Sequence, residues 1–376
     1  MDSSRSKEVD VIRLFALIGL SVVNMTIMAF PAAATLNIPD TLYDQLGLLF
    51  IATFFELKFF LLFSFIFGWG FYVQQQLAQA KGYSFYKLYF SRMAGLAVLG
   101  FCHAVLVFNG DILVLYAVLG CLLWCFKQWT PARLVKTTLW MIPLCILVWL
   151  ITFGFMEETV SKAMLLQLFD SHLSKPYGEA VVARFEHWFY FFSFVLCLQG
   201  VLVMGAFLLG LAAAKVNFFS EGNAIQLQLK KRLPLFLITA LPLNAFYAAV
   251  SVGFVPESHP IAILGFIVVI FAAPMLSLVY LYTLMWFARN VELPDFFILA
   301  GQNSLSVYVL QGVIAGLVFA PYGLGLFDQF AYVPVFFISL LIALASMLVV
   351  SGCAYVFGAG PLEPILRSFS KPFKKT

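Results

Sequence analysis

The sequence predicts an all-α protein, a polytopic transmembrane helix bundle of about ten spans, from its composition, its apolar runs and the placement of its basic residues. Of its 376 residues, 63% are hydrophobic and only 11% are charged, whereas a soluble domain carries about 25% charged residues. So few charges cannot cover the surface of a water-soluble protein of this length. Most of the surface is therefore expected to face lipid.

Ten apolar runs are long enough to cross a membrane, for which a helix needs about 20 residues. They cover residues 11–30, 47–76, 88–108, 111–127, 135–155, 187–214, 234–255, 261–287, 297–320 and 334–358. The second run would extend about 45 Å as a helix, which is too long for one perpendicular span. We therefore expect a short interfacial helix near 41–54 and the span itself from about Phe55.

The basic residues predict the orientation, because Lys and Arg are enriched on the cytoplasmic side of a membrane. With the N-terminus inside, eighteen of the 22 basic residues fall in inner segments and Lys58 falls within a span. The other three are Lys162, Lys175 and Arg184, all in one outer loop. This alternation predicts that both termini are cytoplasmic.

The chain is predicted to form a single integral-membrane domain over residues 1–376, with the lipid bilayer as its main partner. Its one sizeable polar segment is the outer loop 156–186. Apolar residues recur there at helical spacing, which predicts a short helix on the outer surface. These residues are Met164, Leu165, Leu168 and Phe169. The small net charge of +4 gives no indication of nucleic-acid binding, and the sequence does not determine the oligomeric state.

No metal site is expected. None of the histidines has ligand spacing such as HExxH, and the six cysteines all lie in apolar runs without a CxxC pair. The cysteines are interpreted as small packing residues.

Polar side chains within the spans are the candidate functional residues, since such groups are costly in lipid and usually face an interior cavity. The predicted orientation places them in the outer half of the membrane. They are Asn24, Glu56, Lys58, His103, Asp111 and Gln311. We predict that one polar cavity, open to the outside, contains them. The alternatives are interhelical hydrogen bonds for Asn24, His103 and Gln311, and an ion pair between Glu56 and Lys58.

Two arginines lie below two of these residues on the same helix faces. Arg13 precedes Asn24 by eleven residues, and Arg92 precedes His103 by eleven. Eleven residues return to nearly the same face about 16 Å further along a helix. An anionic cofactor bound at the inner mouth could thus reach the polar cavity. The alternative is that both arginines only anchor their helices at the interface.

Four segments resemble those of a known family. They are DVIRLFALIGLSVVN at 10–24, ELKFFLLFSFIFGWGF at 56–71, GFCHAVLVFNGDILVLYAVLG at 100–120, and GQNSLSVYVLQ at 301–311 together with GPLEPILR at 360–367. They resemble the YeiB-like bacterial membrane proteins (domain of unknown function 418). The resemblance implies a multi-pass protein of the bacterial plasma (inner) membrane. One departure is Leu14, where the first motif of the family usually has glycine.

That family is distantly similar to transmembrane acyltransferases such as the heparan-glucosaminide acetyltransferase, through the residues that correspond to Asp10, Arg13 and Asn24. The resemblance implies transfer of an acetyl-like acyl group from cytosolic acyl-CoA to a hydroxyl or amine at the outer face. The acceptor would be a small molecule, a glycan or a lipid-linked group. Acyl-CoA would be a donor substrate, and no tightly bound cofactor is implied.

The resemblance also implies roles for the candidate residues. His103 would be a general base or a transient acyl carrier, oriented by Asp111 or Glu56, and Asn24 would polarise the acyl carbonyl. Arg13, Arg92 and Arg289 would bind phosphate groups, while Lys58 and Gln311 would line the cavity.

A different class of function stays open at this point. A secondary transporter or flippase could use the same cavity to move an anionic or amphipathic solute, with the buried ionisable residues as a proton relay. Against it, no matching pair of Gly- or Pro-broken helices is evident in two halves of the chain. A non-catalytic membrane component is a third possibility.

Overall fold

The computed structural model describes residues 6–35, 38–159, 161–255 and 260–369, and within these ranges the ordered elements are helices with no strand. The α-helices are α1 (Lys7–Met28), α2 (Ala32–Thr35), α3 (Leu42–Phe54), α4 (Lys58–Ala80), α5 (Phe85–Leu106), α6 (Leu113–Leu123), α7 (Pro131–Thr159), α8 (Lys162–Phe169), α9 (Tyr177–Lys215), α10 (Ala224–Ser251), α11 (Pro260–Asn290), α12 (Asp295–Gln302), α13 (Ser304–Phe319), α14 (Tyr332–Phe357) and α15 (Leu362–Phe369). A 3₁₀ turn, Trp124–Phe126, extends α6.

The predicted fold class is confirmed. In the described ranges, eight helical stretches are long and apolar enough to cross a membrane, and the number is nine if the bent pair α12–α13 forms one broken span rather than a re-entrant loop. The predicted span 111–127 corresponds to a shorter apolar helix, Leu113–Phe126. Its 14 residues cover about 21 Å, less than the roughly 30 Å of a hydrocarbon core. Ten spans with cytoplasmic termini therefore stay a prediction.

The break expected in the second apolar run lies between α3 and α4. Leu57 there has a left-handed backbone conformation with φ 65°, which a leucine adopts only when its surroundings impose it. The two helices together nevertheless form one apolar stretch of 39 residues, Leu42–Ala80. Such a stretch is about 58 Å long, so part of it must extend beyond the hydrocarbon core.

The predicted span 297–320 is not one straight helix. It bends by 87° between α12 and α13. The bend lies at Asn303, whose side-chain oxygen accepts a hydrogen bond from the Gly360 amide (2.8 Å) and whose side-chain nitrogen donates to the Leu299 carbonyl (2.9 Å). These bonds offer the backbone an alternative to a continuous helix. Both halves are apolar, so the apolar pattern could not reveal the bend.

Helix α9 begins at Tyr177, ten residues before the predicted start of its span at His187. The intervening charges suggested a loop, yet Arg184 is fully buried. Its guanidinium donates to the carbonyls of Val105 and Leu106 at the end of α5 (2.9 and 3.1 Å), which otherwise lack partners within the helix. The short helix predicted within 156–186 corresponds to α8.

Helix α1 lies at the centre of the bundle and packs against α4, α11, α12, α13 and α14. Helices α4 and α9 pack closely, and two glycines allow backbone contact between them. A Cβ at Gly68 would overlap the carbonyl of Phe207, and one at Gly210 would overlap the carbonyl of Phe65. Small residues allow the same close approach between helices in lipid. We call the end of the bundle that carries the N-terminus of α1 the inner end.

Cysteine labelling tests the predicted sidedness. In a cysteine-free background, single cysteines at Lys231 and Glu179, both exposed in the structure, are expected to react from opposite sides of the membrane. The reason is that the basic loops place Lys231 inside and Glu179 outside. An impermeant maleimide applied to intact cells should label only the Glu179 position, and permeabilised cells should label both. Labelling of both positions in intact cells would refute this topology.

Candidate functional site

A cavity of about 680 Å³ opens at the inner end, between α1, α4, α5, α6, α13 and α15. Its volume lies within the range of about 300–1,000 Å³ that is typical of small-molecule sites. Basic side chains predominate among its charged groups. The basic residues are Arg13, Lys81, Arg92 and Arg367, and the acidic residues are Asp10 and Glu363.

Arg13 and Arg92, the two arginines singled out by their helix positions, both line this cavity. Arg13 contacts Asp10 on the preceding helical turn at 3.4 Å. The Nε atom of Arg92 is buried and has no hydrogen-bond acceptor within the described residues. A buried guanidinium nitrogen without an acceptor is costly, so the site is suited to an anion supplied from outside the chain.

The deep end of the cavity is formed by Leu96, Leu113, Tyr116 and Tyr308. The Tyr116 hydroxyl is 2.6 Å from the Ser64 hydroxyl, which holds α6 against α4. Two of these residues also contact the His103–Asp111 pair. The Tyr308 ring lies 5.3 Å from the His103 ring, and the Leu113 amide donates to Asp111.

His103 and Asp111 form a buried pair across the turn between α5 and α6. The Nδ1 atom of His103 is 2.9 Å from Oδ1 of Asp111. The other carboxylate oxygen accepts from the amides of Leu113 (2.8 Å) and Val114 (3.1 Å), at the start of α6. A carboxylate with these three contacts is an acceptor, so we assign the imidazole proton to Nδ1. The Nε2 atom then carries the free lone pair.

The Nε2 atom of His103 is buried, and no hydrogen-bond partner for it is found in the part of the chain that the structure covers. It faces Gly312 on α13, where a Cβ would lie 2.7 Å from it. A buried polar atom without a partner requires an explanation in a native protein, and a catalytic role is one. The geometry resembles that of the base in hydrolytic triads, where a carboxylate holds the histidine in one tautomer.

Glu56 and Lys58 do not join His103 and Asp111 as expected. Glu56 accepts a hydrogen bond from the Tyr247 hydroxyl of α10 at 2.8 Å. Lys58 is fully buried and donates to the Ala52 carbonyl at 2.7 Å. Glu56 therefore contacts α10 and Lys58 contacts α3, while the His103–Asp111 pair contacts α13. Among the described contacts the two pairs face different helices, because depth in the membrane does not specify the face of a helix.

Gln311 lies at the contact between α1 and α13. The Gln311 side-chain nitrogen donates to the Leu17 carbonyl at 3.2 Å, which is an interhelical hydrogen bond. Asn24 is half-buried two turns further along α1. Neither residue lines the cavity at the inner end.

Arg289 also lies away from the cavity, contrary to the expectation that it joins Arg13 and Arg92. Its guanidinium donates to the Glu8 carboxylate (2.9 Å), the Gln226 side chain (3.1 Å) and the Phe219 carbonyl (2.6 Å). It thus joins the inner ends of α1, α10 and α11. With these three acceptors engaged, Arg289 has a structural role in this conformation.

The sequence interpretation missed Tyr308, Glu363 and Arg367 as cavity residues. All three lie in the segments 301–311 and 360–367 that carry the family resemblance. Their position in these segments is the sequence feature that could have indicated them as site residues. Their residue types alone do not indicate a site, because tyrosine is common in apolar spans and a charged C-terminal segment is usually solvated.

Two histidines at the outer end form a separate feature. The rings of His172 and His187 stack with centroids 5.8 Å apart. Burial lowers the pKa of His172 to about 4, against the opposing charge of Asp170. In the described residues no group of three or more His, Cys, Asp or Glu side chains could hold a metal ion. His259 lies outside those residues.

Comparison with known proteins connects this architecture to a family. Residues 213–371 match the family model "Protein of unknown function (DUF418)". The chain is 30% identical over 133 residues to the uncharacterised protein YeiB of Escherichia coli, covering 34% of this chain and 32% of that protein. Residues 213–371 are thus similar to the DUF418 family, and about a third of the chain is similar to YeiB.

The similarity to another relative extends over nearly the whole chain. The uncharacterised protein YxaH of Bacillus subtilis is 24% identical over 408 aligned positions, covering 98% of this chain and 94% of that protein. An uncharacterised 39.9 kDa protein of Bacillus acidopullulyticus is 27% identical over 240 residues, or 64% of this chain and 66% of its own length. No solved structure matches significantly. These relatives carry no described activity, so function must be argued from the site.

Proposed function

We propose that this protein is an acyltransferase of the bacterial plasma membrane that takes an acyl group from acyl-CoA at the inner end and passes it to a hydroxyl or amine at the outer face. One observation carries the proposal. The His103–Asp111 pair, with Nε2 unpartnered in the described residues, does not itself line the cavity but contacts Leu113 and Tyr308, which line it together with Arg13 and Arg92.

The shape of the cavity fits a donor with phosphates at one end and a reactive acyl group at the other. Arginine guanidinium groups bind phosphate through two parallel hydrogen bonds. Arg92 and His103 lie on one helix face about 16 Å apart. A long flexible arm between phosphate and thioester, as in acyl-CoA, would bridge this distance.

The chemistry requires one base. Nε2 of His103 accepts the proton of the acceptor hydroxyl or amine as that group attacks the thioester carbonyl, and the C–S bond then breaks. The departing thiolate takes the proton back from the imidazolium. Asp111 orients the ring and stabilises its charged form. Direct attack of Nε2 on the thioester, giving an acyl-histidine that the acceptor then cleaves, uses the same residues.

Glu56 has no part in this mechanism, because its carboxylate is bonded to Tyr247. A carbonyl-polarising role for Asn24 has no geometric support in this conformation.

Transport of an anionic or amphipathic solute is the second candidate, and the α12–α13 bend favours it. Gln302, Ser304 and Leu305, at the bend, line the cavity. Broken helices recur at the substrate sites of secondary transporters. Sealed inverted vesicles separate the two functions, since acetyl transfer leaves radiolabel on a lumenal acceptor, whereas transport accumulates the unmodified solute.

The cavity arginines provide a direct test of donor binding. Replacing Arg13 or Arg92 by glutamine is expected to weaken acetyl-CoA binding about 10- to 100-fold, since a charge-assisted hydrogen bond contributes about 1.5–3 kcal/mol. Calorimetry on purified protein in nanodiscs measures the dissociation constant. Arg232→Gln is the matched control, because Arg232 is exposed and is not one of the residues that line the cavity. Unchanged affinity in both cavity variants would show that acyl-CoA does not bind here.

A further inference from the structure

The C-terminal segment GPLEPILR at 360–367 has no role in the mechanism above. In the structure it forms the approach to α15 and most of that helix. Helix α15 packs against α5 and α13. Three of its residues, Glu363, Leu366 and Arg367, line the cavity at the inner end. The segment is therefore one wall of the candidate site.

Helix α15 is held in place at the bend between α12 and α13. Glu363 accepts a hydrogen bond from the Ser306 amide at 3.1 Å, and its second oxygen bonds the Ser306 hydroxyl. That hydroxyl accepts from the Leu362 amide at 2.9 Å. A carboxylate at the first turn of a helix is favoured by the unpaired amides and the helix dipole there. Both carboxylate oxygens of Glu363 are thus engaged in the contact that holds α15 against α13.

The anchored helix brings a second guanidinium, that of Arg367, to the cavity that Arg92 lines. Helix α5, which carries Arg92, and helix α15, which carries Arg367, pack against each other. Arg367 itself is exposed at the inner end. Two guanidinium groups on one wall of a cavity repel each other unless an anion lies between them. The buried Nε of Arg92, which lacks an acceptor among the described residues, is an independent indication of the same requirement.

We propose that Arg367 is a ligand-binding residue, which together with Arg92 binds one phosphate of a diphosphate group while Arg13 on α1 binds the other. Recognition of a diphosphate rests on the proposed function and makes it more specific. The proposal adds the C-terminal helix α15 to the site, and it predicts that the ligands are soluble molecules that contain a phosphoanhydride. Glu363 acts as a positioning residue, because it fastens the helix that carries Arg367.

The test uses the full-length protein in nanodiscs of zwitterionic lipid, with inorganic pyrophosphate and acetyl-CoA as separate probes. Arg367→Gln is expected to weaken pyrophosphate binding about tenfold or more. In the double variant with Arg92→Gln, pyrophosphate affinity should fall by less than the product of the two single-variant fold-changes, because both side chains bind the same phosphate. Arg367→Lys should recover part of the affinity, since it keeps the charge without the bidentate geometry. Arg232→Gln is the control for the loss of one positive charge.

Normal pyrophosphate affinity in a folded Arg367→Gln variant overturns the proposal. So does loss of pyrophosphate binding in nanodiscs that contain phosphatidylglycerol, because the site would then hold a lipid headgroup. The same experiment distinguishes a failure of the diphosphate site from a failure of the proposed acyltransferase function. Arg367-dependent pyrophosphate binding without acetyl-CoA binding supports the diphosphate site and refutes the acyltransferase. Acetyl transfer that is insensitive to Arg367→Gln supports the acyltransferase and refutes the diphosphate site.

Discussion

Replacing His103 by alanine is expected to lower acyl transfer by about 10²–10⁴-fold, the usual contribution of a general base. The folded protein should still bind acetyl-CoA, because the basic side chains that would bind the donor lie at the inner mouth. The buried contact between His103 Nδ1 and Asp111 is the reason to expect this separation. It leaves Nε2 as the proton acceptor, and alanine removes that acceptor.

Transfer of radiolabelled acetyl groups in inverted vesicles, together with acetyl-CoA binding by purified protein, measures the two quantities. Asp111→Asn should also reduce transfer, because an amide no longer imposes the Nδ1–H tautomer. His187→Ala is the matched control, since its ring hydrogen-bonds the carbonyl of Ala183 on its own helix at 2.8 Å and stacks on His172, and neither contact belongs to the proposed mechanism. A folded His103→Ala protein with near-normal transfer rules out the mechanism. Activity that falls only in proportion to folded protein indicates a structural histidine.

Substitution of Gly210 by alanine is expected to destabilise the bundle by about 3 kcal/mol or more, at the upper end of the overpacking range. The added Cβ would overlap the backbone carbonyl of Phe65 on α4, which cannot move aside as a side chain can. Gly68→Ala should have a similar cost, because its Cβ would overlap the carbonyl of Phe207 on α9. Both changes force apart the same two helices.

Thermal unfolding in mild detergent, followed by loss of monodisperse protein, measures this effect. Gly352→Ala is the matched control, because Gly352 is within α14 and has no atom within 4 Å of the added Cβ. Alanine is favoured over glycine in a helix by about 1 kcal/mol, so this control should be neutral or stabilising. Equal stability of Gly210→Ala and Gly352→Ala would contradict the close α4–α9 contact.

Part of the candidate site was predictable from the sequence. His103 and Asp111 are eight residues apart around an Asn-Gly turn, and their contact in the structure requires only that the turn close. Arg92 lies on the face of α5 that carries His103, a consequence of helical periodicity alone. Such local relations depend on spacing along one short segment.

Other parts of the site depend on pairs of residues that are distant along the chain. Glu56 contacts Tyr247, 191 residues away, and Glu363 contacts Ser306, 57 residues away. Arg367 lines the same cavity as Arg92, and the contact between Glu363 and Ser306 holds the helix that carries it. Without relatives aligned to it, a single sequence holds no signal for which distant faces meet.

By itself the sequence determined that this is a helical membrane protein and where most of its helices lie. The physical reason is that the free energy of transfer into lipid is summed over about 20 consecutive residues of a span. A single polar residue therefore does not change the prediction that the segment is a membrane helix. Only the tertiary structure decided the bend at Asn303, the burial of Arg184 and the separation of Glu56 from His103. In each case one polar group bonds a residue that is distant along the chain, and such a bond depends on three-dimensional packing rather than on composition.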